Sequence, residues 1–467
     1  MHNGPRELTE TRQAALRVRP ASNSVPGIIC HLCLIILGIS HFLLPAERGF
    51  PLIRIADLPL TITLAATLSA FSIMLLVYGR IVLRFLVQHE FIWWQLAFAL
   101  WMAISCLLAG SPKSAYALPI TYVSVFVLNY LVFATIIQLG LGRLIIGYMS
   151  FFVCAAAAVG LFEGLAGYQL PWYAFWSEVF RVEMGYGDYS AFNRVSGTLG
   201  NPIIFGALLI FTIPWVLHIK MRWLRVFALC LVVIAAFLTL SRTVLLVIIP
   251  LFFGEAFIYL KGIHRIKLDQ LLLITGTAVL LAISTTGDWQ STASDLLSDW
   301  TLRMGDDAAS AGNLQIRVQA SKEATERVLK SDTISVVAGF GGRSSIKIGT
   351  EISESLQTLD NTYTTILYEF GVFGLMIYII SWARLLFLWA PTARTSLHWA
   401  NIVAVLSAGV SFVTCYYSTI NLPVAASLAF LGMQIKRRAP HRTASDAKVV
   451  NGSLPKSMPQ LQNHPVV

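Results

Sequence analysis

The residues best suited to chemistry are few and far apart in sequence: Arg194, Arg242, Arg317, and an Asp360–Asn361 pair with Tyr363 just behind it. An arginine fork is planar, permanently charged and matched to the oxygens of a phosphate in bidentate fashion. Three of them converging from separate segments would hold a diphosphate without a metal ion. Taken singly, each is as readily a surface or ion-pair residue. Arg242 stands in LTLSRTVLL, between two apolar runs with almost nothing separating them, where an ionisable group is costly and often functional. The alternative is an arginine that snorkels out of a tight turn. Asp360 and Asn361 precede TYTTILYEFGVFG, a position at which Asp and Asn cap helices. A carboxylate there could equally accept a proton from a sugar hydroxyl, and spacing leaves both readings open.

A second tier is weaker. Glu369 lies about two turns into the run that follows Asn361, and Glu163 and Glu255 sit within or at the ends of other apolar runs, as acids that form proton pathways or pair with arginines do. The glycine cluster in VVAGFGGRSS (336–345) could wrap an anion with backbone N–H groups, though no GK[ST] follows it. Lys322, Arg327 and Arg343 read as surface or ion-pair residues. Cys30-His31-Leu32-Cys33 has the look of a metal motif, but small thiols buried in a membrane helix are the simpler reading, and no metal or other cofactor is expected.

The elements that must position these residues are membrane helices. The chain is 56% hydrophobic and 12% charged over 467 residues, about half the charge of soluble proteins. Its apolar runs approach the ~20 residues that cross a bilayer core. They fall at about 26–45, 56–78, 91–110, 116–139, 143–165, 203–218, 223–240, 243–260, 268–285, 362–388, 397–418 and 421–434, which predicts an all-α integral membrane protein with about twelve spans. A net charge of +10 raises the question of nucleic acid. The basic residues lie in short patches between apolar runs instead of on one soluble face, so they read as topology signals and nucleic acid is not expected. With the N-terminus inside, the short outside connections hold only Arg48, Arg54, Lys113 and Arg242, as the positive-inside rule requires. Both termini are then cytoplasmic. All six cysteines fall in apolar runs, which argues against a disulfide framework.

The organisation expected is a cytoplasmic tail over 1–25 that is not a cleaved signal, nine spans over 26–285 with a loop at 166–202, a large extracytoplasmic loop over 286–361, three spans over 362–434, and a disordered cytoplasmic tail over 435–467. The aromatics of the first loop, among them Trp172, Tyr173 and Trp176, suit either an interfacial belt or a sugar-stacking surface. Within the large loop, residues 313–330 predict an amphipathic helix with Ile316, Ala320, Ala324 and Val328 on one stripe.

Taken in order, RVSGTLGNPIIFGALL, LTLSRTVLL, the arginine-bearing helix, GFG and DNTYTTILYEFGVFGLMIYII resemble the O-antigen ligase/polymerase superfamily of bacterial envelopes, over about residues 190–385. The resemblance implies a GT-C-like, metal-independent glycosyltransferase of the inner membrane with its active face in the periplasm. It would take a saccharide from a polyprenyl diphosphate carrier, in contact with membrane lipids and with polysaccharide export and chain-length proteins. Arg194, Arg242 and Arg317 match the family's arginines. The implied roles are Arg194 and Arg242 on the diphosphate, Arg317 on the loop or donor, Asp360 as acceptor base, and Asn361 and Tyr363 as substrate contacts. Ligases that load lipid A–core usually carry His-Asn where this chain has Asp360-Asn361. That departure shifts the expectation to a polymerase of repeat units for an exopolysaccharide, capsule or O-antigen, with a ligase as the alternative and a flippase as a rival from another class.

Overall fold

A computed structural model of the protein describes residues 25–43, 51–55, 58–166, 195, 197–199, 202–239, 308–352, 359, 361–389, 401–402, 404–405 and 421–435. These are predominantly helical, as the all-α expectation has it, with turns between helices and one short antiparallel hairpin, Pro51–Ile55 (β1) with Leu58–Thr61 (β2). In chain order the helices are α1 (Val25–Gly38, continued as a π-turn over Ile39–Leu43), α2 (Ile62–Gln88), α3 (Glu90–Leu108) and α4 (Pro112–Gln138). There follow α5 (Gly142–Ala166), α6 (Pro202–Val216), α7 (Arg222–Leu238), α8 (Ala308–Leu329), α9 (Thr333–Ala338), α10 (Ser344–Ile352), α11 (Thr362–Trp389) and α12 (Asn421–Ile435).

Five of these are long and apolar enough to cross a bilayer: α2, α3, α4, α5 and α11. The stretches Gly27–Leu43 and Phe205–Val216 are apolar but shorter. This architecture is compatible with a multi-pass membrane protein. The expected runs at 243–260 and 268–285, most of 397–418, and both tails lie outside the described residues.

Helices α3, α4 and α5 are joined by turns of a few residues, at 109–111 and 139–141, closed by backbone bonds such as Ala109 N–H to Ser105 O and Leu139 N–H to Thr135 O. Such short connections force antiparallel neighbours. The bundle therefore has two ends. One carries the 109–111 turn, the start of α4 and the C-terminal end of α5. The other carries Glu90, the 139–141 turn and Arg384, which pairs with Glu90 at 2.5 Å. The sequence reading puts Arg80, Arg84 and Arg384 on one side and Lys113 on the other, and the two ends divide in the same way.

Several polar side chains inside the bundle bond across helices, where no water is at hand to satisfy them. Tyr122 donates to Gln95, whose amide reaches Ser381 at 3.3 Å, linking α3, α4 and α11. His89 meets the Tyr130 hydroxyl at 2.8 Å and His31 that of Tyr148 at 2.7 Å. His31 is thus engaged with a tyrosine, while Cys30 and Cys33 are buried free thiols.

Helix α11 is not straight. Gly371 has φ +69° and ψ −175°, which divides it into a short arm, 362–370, and a long one, 372–389. In a straight helix positions 363 and 378 would stand about 22 Å apart, more than two tyrosine side chains can span. The Tyr363 and Tyr378 ring centroids are 6.2 Å apart, so the short arm folds back toward the long one. The run expected as one span over 362–388 thus has a broken backbone, and its long arm supplies the crossing length.

Helices α8, α9 and α10 pack on the short arm and form a second, small core. Ala320, Ala324 and Val328 of α8 are buried with Ile348, Leu359 and Tyr368, and Ile316 packs against them. The predicted stripe is therefore the buried face of α8. On its other side Arg327 bridges Glu351 (2.6 Å) and Glu323 (2.7 Å), tying α8 to α10, and Lys330 pairs with Glu326. The Glu351 carboxylate, then Glu323, hold the Arg327 guanidinium still more firmly in its charged form.

Candidate functional site

Two assemblies occupy the 109–111 end of the bundle. The first is built on residues 195–199, the segment that follows Arg194. Val195 N–H donates to Leu238 O at 3.2 Å, at the last turn of α7 and four positions before Arg242. Gly197 N–H donates to the buried Glu163 carboxylate at 2.7 Å, near the C-terminal end of α5. Thr198 Oγ1 donates to Phe42 O in the π-turn after α1 at 2.5 Å. One short segment is thereby fastened to three helices. Gly197 has φ +54°, and a Cβ there would stand 2.4 Å from the Phe205 ring, so both conformation and space call for glycine. The segments that continue to Arg194 and Arg242 leave from the same point.

The second assembly repairs the break in α11. Ending the helical ladder at Gly371 frees the carbonyls of Tyr368, Glu369 and Phe370, which cannot be left unpaired in a dry interior. Phe340 N–H donates to Tyr368 O and Gly341 N–H to Glu369 O, both at 2.9 Å. Trp101 Nε1 donates to Phe370 O at 2.9 Å, and Ser105 Oγ lies 3.0 Å from Glu369 O and 2.5 Å from Ala338 O. The contact is backbone on backbone: a Cβ at Gly371 would meet Val337 O at 2.2 Å, and one at Gly339 would meet the Glu369 carbonyl carbon at 2.5 Å. Gly342 N–H donates to Cys106 Sγ at 3.1 Å. The glycine cluster read as a possible anion loop thus directs these N–H groups into the helix break and the Cys106 thiol, which removes them from anion binding.

Glu369 is buried at the centre of this assembly. Its carboxylate accepts from the Ser345 hydroxyl at the start of α10. Glu163 receives a backbone N–H from a glycine-containing segment, and the Arg343 charge also acts on Glu369.

Asn361 is the cap of α11: its Oδ1 accepts from Tyr363 N–H at 3.0 Å and Thr364 N–H at 3.3 Å. Of the two residues at 360 and 361, the asparagine fills the capping role. The Tyr363 ring is partly buried against Tyr378 at the edge of an aromatic cluster that includes Phe98, Tyr122 and Phe370. Arg317 lies on α8, next to Ile316 of the buried stripe. Arg194, Arg242 and Asp360 lie outside the described residues, and the side chain of Arg317 does too. Among the described residues no group of three or more His, Cys, Asp or Glu side chains is gathered as a metal site would need.

Sequence reasoning missed the work done by Trp101, Ser105 and Cys106 of α3, whose partners lie more than 230 positions away. The available signal was the spacing of polar residues along one end of an apolar run. No protein-family model and no curated protein sequence matches this chain.

Proposed function

We propose that the chain is an inner-membrane glycosyltransferase that joins polyprenyl-diphosphate-linked repeat units into a surface polysaccharide, with the 109–111 end of the bundle facing the periplasm. The observation that carries the reading is the bond from Val195 to Leu238, which ties together the segments leading to Arg194 and Arg242. Loss of a lipid diphosphate needs fixed positive charge at the leaving oxygens, and two arginines entering from one tether meet that need in a partly dry site. Arg317, on the helix that packs against the short arm of α11, would help to hold the donor. Asp360 would orient and deprotonate the acceptor hydroxyl. That Asn361 serves as the cap supports this division of labour, because capping gives no reason for the carboxylate beside it. No step calls for a metal.

Deleting the gene and sizing carrier-linked and surface glycans tests the proposal. Single repeat units in place of long chains are expected. Full-length chains retained on the carrier would make the protein a ligase, and units trapped on the cytoplasmic face would make it a flippase.

A further inference from the structure

We infer that Arg343 is a phosphate-binding side chain at the 109–111 end of the bundle. Among the described residues it is the one non-glycine with positive φ, at +67°. That conformation brings Cβ against the backbone and is one glycine adopts freely. The chain supplies glycine at the neighbouring left-handed positions, Gly339 (φ +75°) and Gly341 (φ +83°), yet carries arginine at 343.

The arginine does not cause the conformation. Hydrogen bonds made by the backbone fix it from both sides: Gly341 N–H to Glu369 O, Gly342 N–H to Cys106 Sγ, and Ile346 N–H to Arg343 O at 3.3 Å. Any residue placed there adopts the same φ, so local conformation alone selects glycine. A side chain kept against that preference points to a function for the side chain.

Its surroundings indicate which. Arg343 is exposed, and its guanidinium makes no hydrogen bond or ion pair with a described residue. The Arg343 charge acts on Glu369, but that carboxylate is buried and already accepts from the Ser345 hydroxyl. Arg327, by contrast, spends its fork on Glu351 and Glu323. The loop also sits at the bundle's edge, since a Cβ at Gly341 would meet Ala109 Cβ at 2.6 Å. An unspent arginine fork at that level meets phosphate oxygens, from either the diphosphate of a lipid carrier or an anionic lipid headgroup. The carrier as source rests on the function proposed above; the headgroup does not.

The test uses the full chain in phosphatidylcholine nanodiscs, with farnesyl diphosphate and phosphatidylglycerol as probes. Arg343→Gly removes the fork and relieves the backbone, so its melting temperature should equal or exceed that of the wild type. Its affinity for farnesyl diphosphate should fall by about tenfold, the loss of one charged hydrogen-bonding contact. Arg343→Ala should lose the same affinity while keeping the Cβ penalty. If diphosphate binding is unchanged but stabilisation by phosphatidylglycerol disappears in both variants, the headgroup is the ligand and the inference stands. Wild-type behaviour of Arg343→Gly toward both probes would overturn it. Arg242→Ala in the same assay separates the two claims. Loss of diphosphate binding there but not in Arg343→Gly keeps the proposed function and drops the carrier as the ligand of Arg343.

Discussion

The segment at 195–199 and the glycine loop at 339–342 are both held at the same end of the bundle, with a different balance of side-chain and backbone contacts. The first has one backbone bond, Val195 to Leu238, and is otherwise fastened through side chains: Glu163 and Thr198 reach out to backbone atoms across helices. The second rests on backbone-to-backbone bonds, with Gly339 and Gly371 removing the Cβ atoms where loop and broken helix approach most closely. A side-chain tether can be retuned one residue at a time. A backbone lock tolerates no added atom, and it positions rigidly whatever is attached to it, here Arg343 and α10. The two constructions therefore respond to different substitutions.

The sharpest way to break the comparison is at the lock. Gly371→Ala would place a Cβ 2.2 Å from Val337 O at φ +69°, combining overpacking with a forbidden backbone. A loss of about 3 kcal/mol or more is expected, read as failure to accumulate or a large fall in melting temperature in detergent. At the tether the matching change is Glu163→Ala, which leaves the buried Gly197 N–H without its acceptor and should cost about 1–3 kcal/mol. Glu163→Gln retains a carbonyl oxygen and should recover most of that loss. Equal damage from both variants would mean that the charge of Glu163 matters, not the acceptor.

Smaller effects sharpen the picture. Asn361→Ala removes the α11 cap and should cost about 1 kcal/mol, with Asn361→Asp near wild type. Chemical denaturation followed by Trp fluorescence would read both. Arg327→Ala breaks two exposed ion pairs and should cost less than about 1 kcal/mol, a difference that fades in high salt.

Much of this was legible in the sequence, and the limits have physical causes. Apolar length located α1, α3 to α7 and α12 to within a few residues, because burial in a bilayer is a one-dimensional property of composition. The same signal put the second span at 56–78 where α2 runs Ile62–Gln88, since apolar character continues past Tyr78 and the hairpin takes the first residues. The α8 stripe was legible because its period is local. The break at Gly371 was not. A glycine in an apolar run is ordinary, and what makes this one bend is a loop 30 residues upstream and polar residues on α3 that supply donors to its freed carbonyls. Arg343 read as a surface or ion-pair residue and is exposed; its left-handed backbone was not legible, as nothing in RSS marks a conformation imposed from elsewhere. Asp360 and Asn361 looked interchangeable as caps; geometry shows Asn361 accepting the N–H groups of Tyr363 and Thr364.

The central claim is that the 109–111 end of the bundle transfers glycosyl units under arginine control, and the measurement that tests it most directly is glycan sizing in a deletion strain complemented with Arg242→Ala. The variant must first be shown to insert at wild-type level. Single repeat units on the carrier, restored to long chains by the wild-type gene, are the predicted result. Long chains of normal size from a fully inserted Arg242→Ala protein would contradict the account.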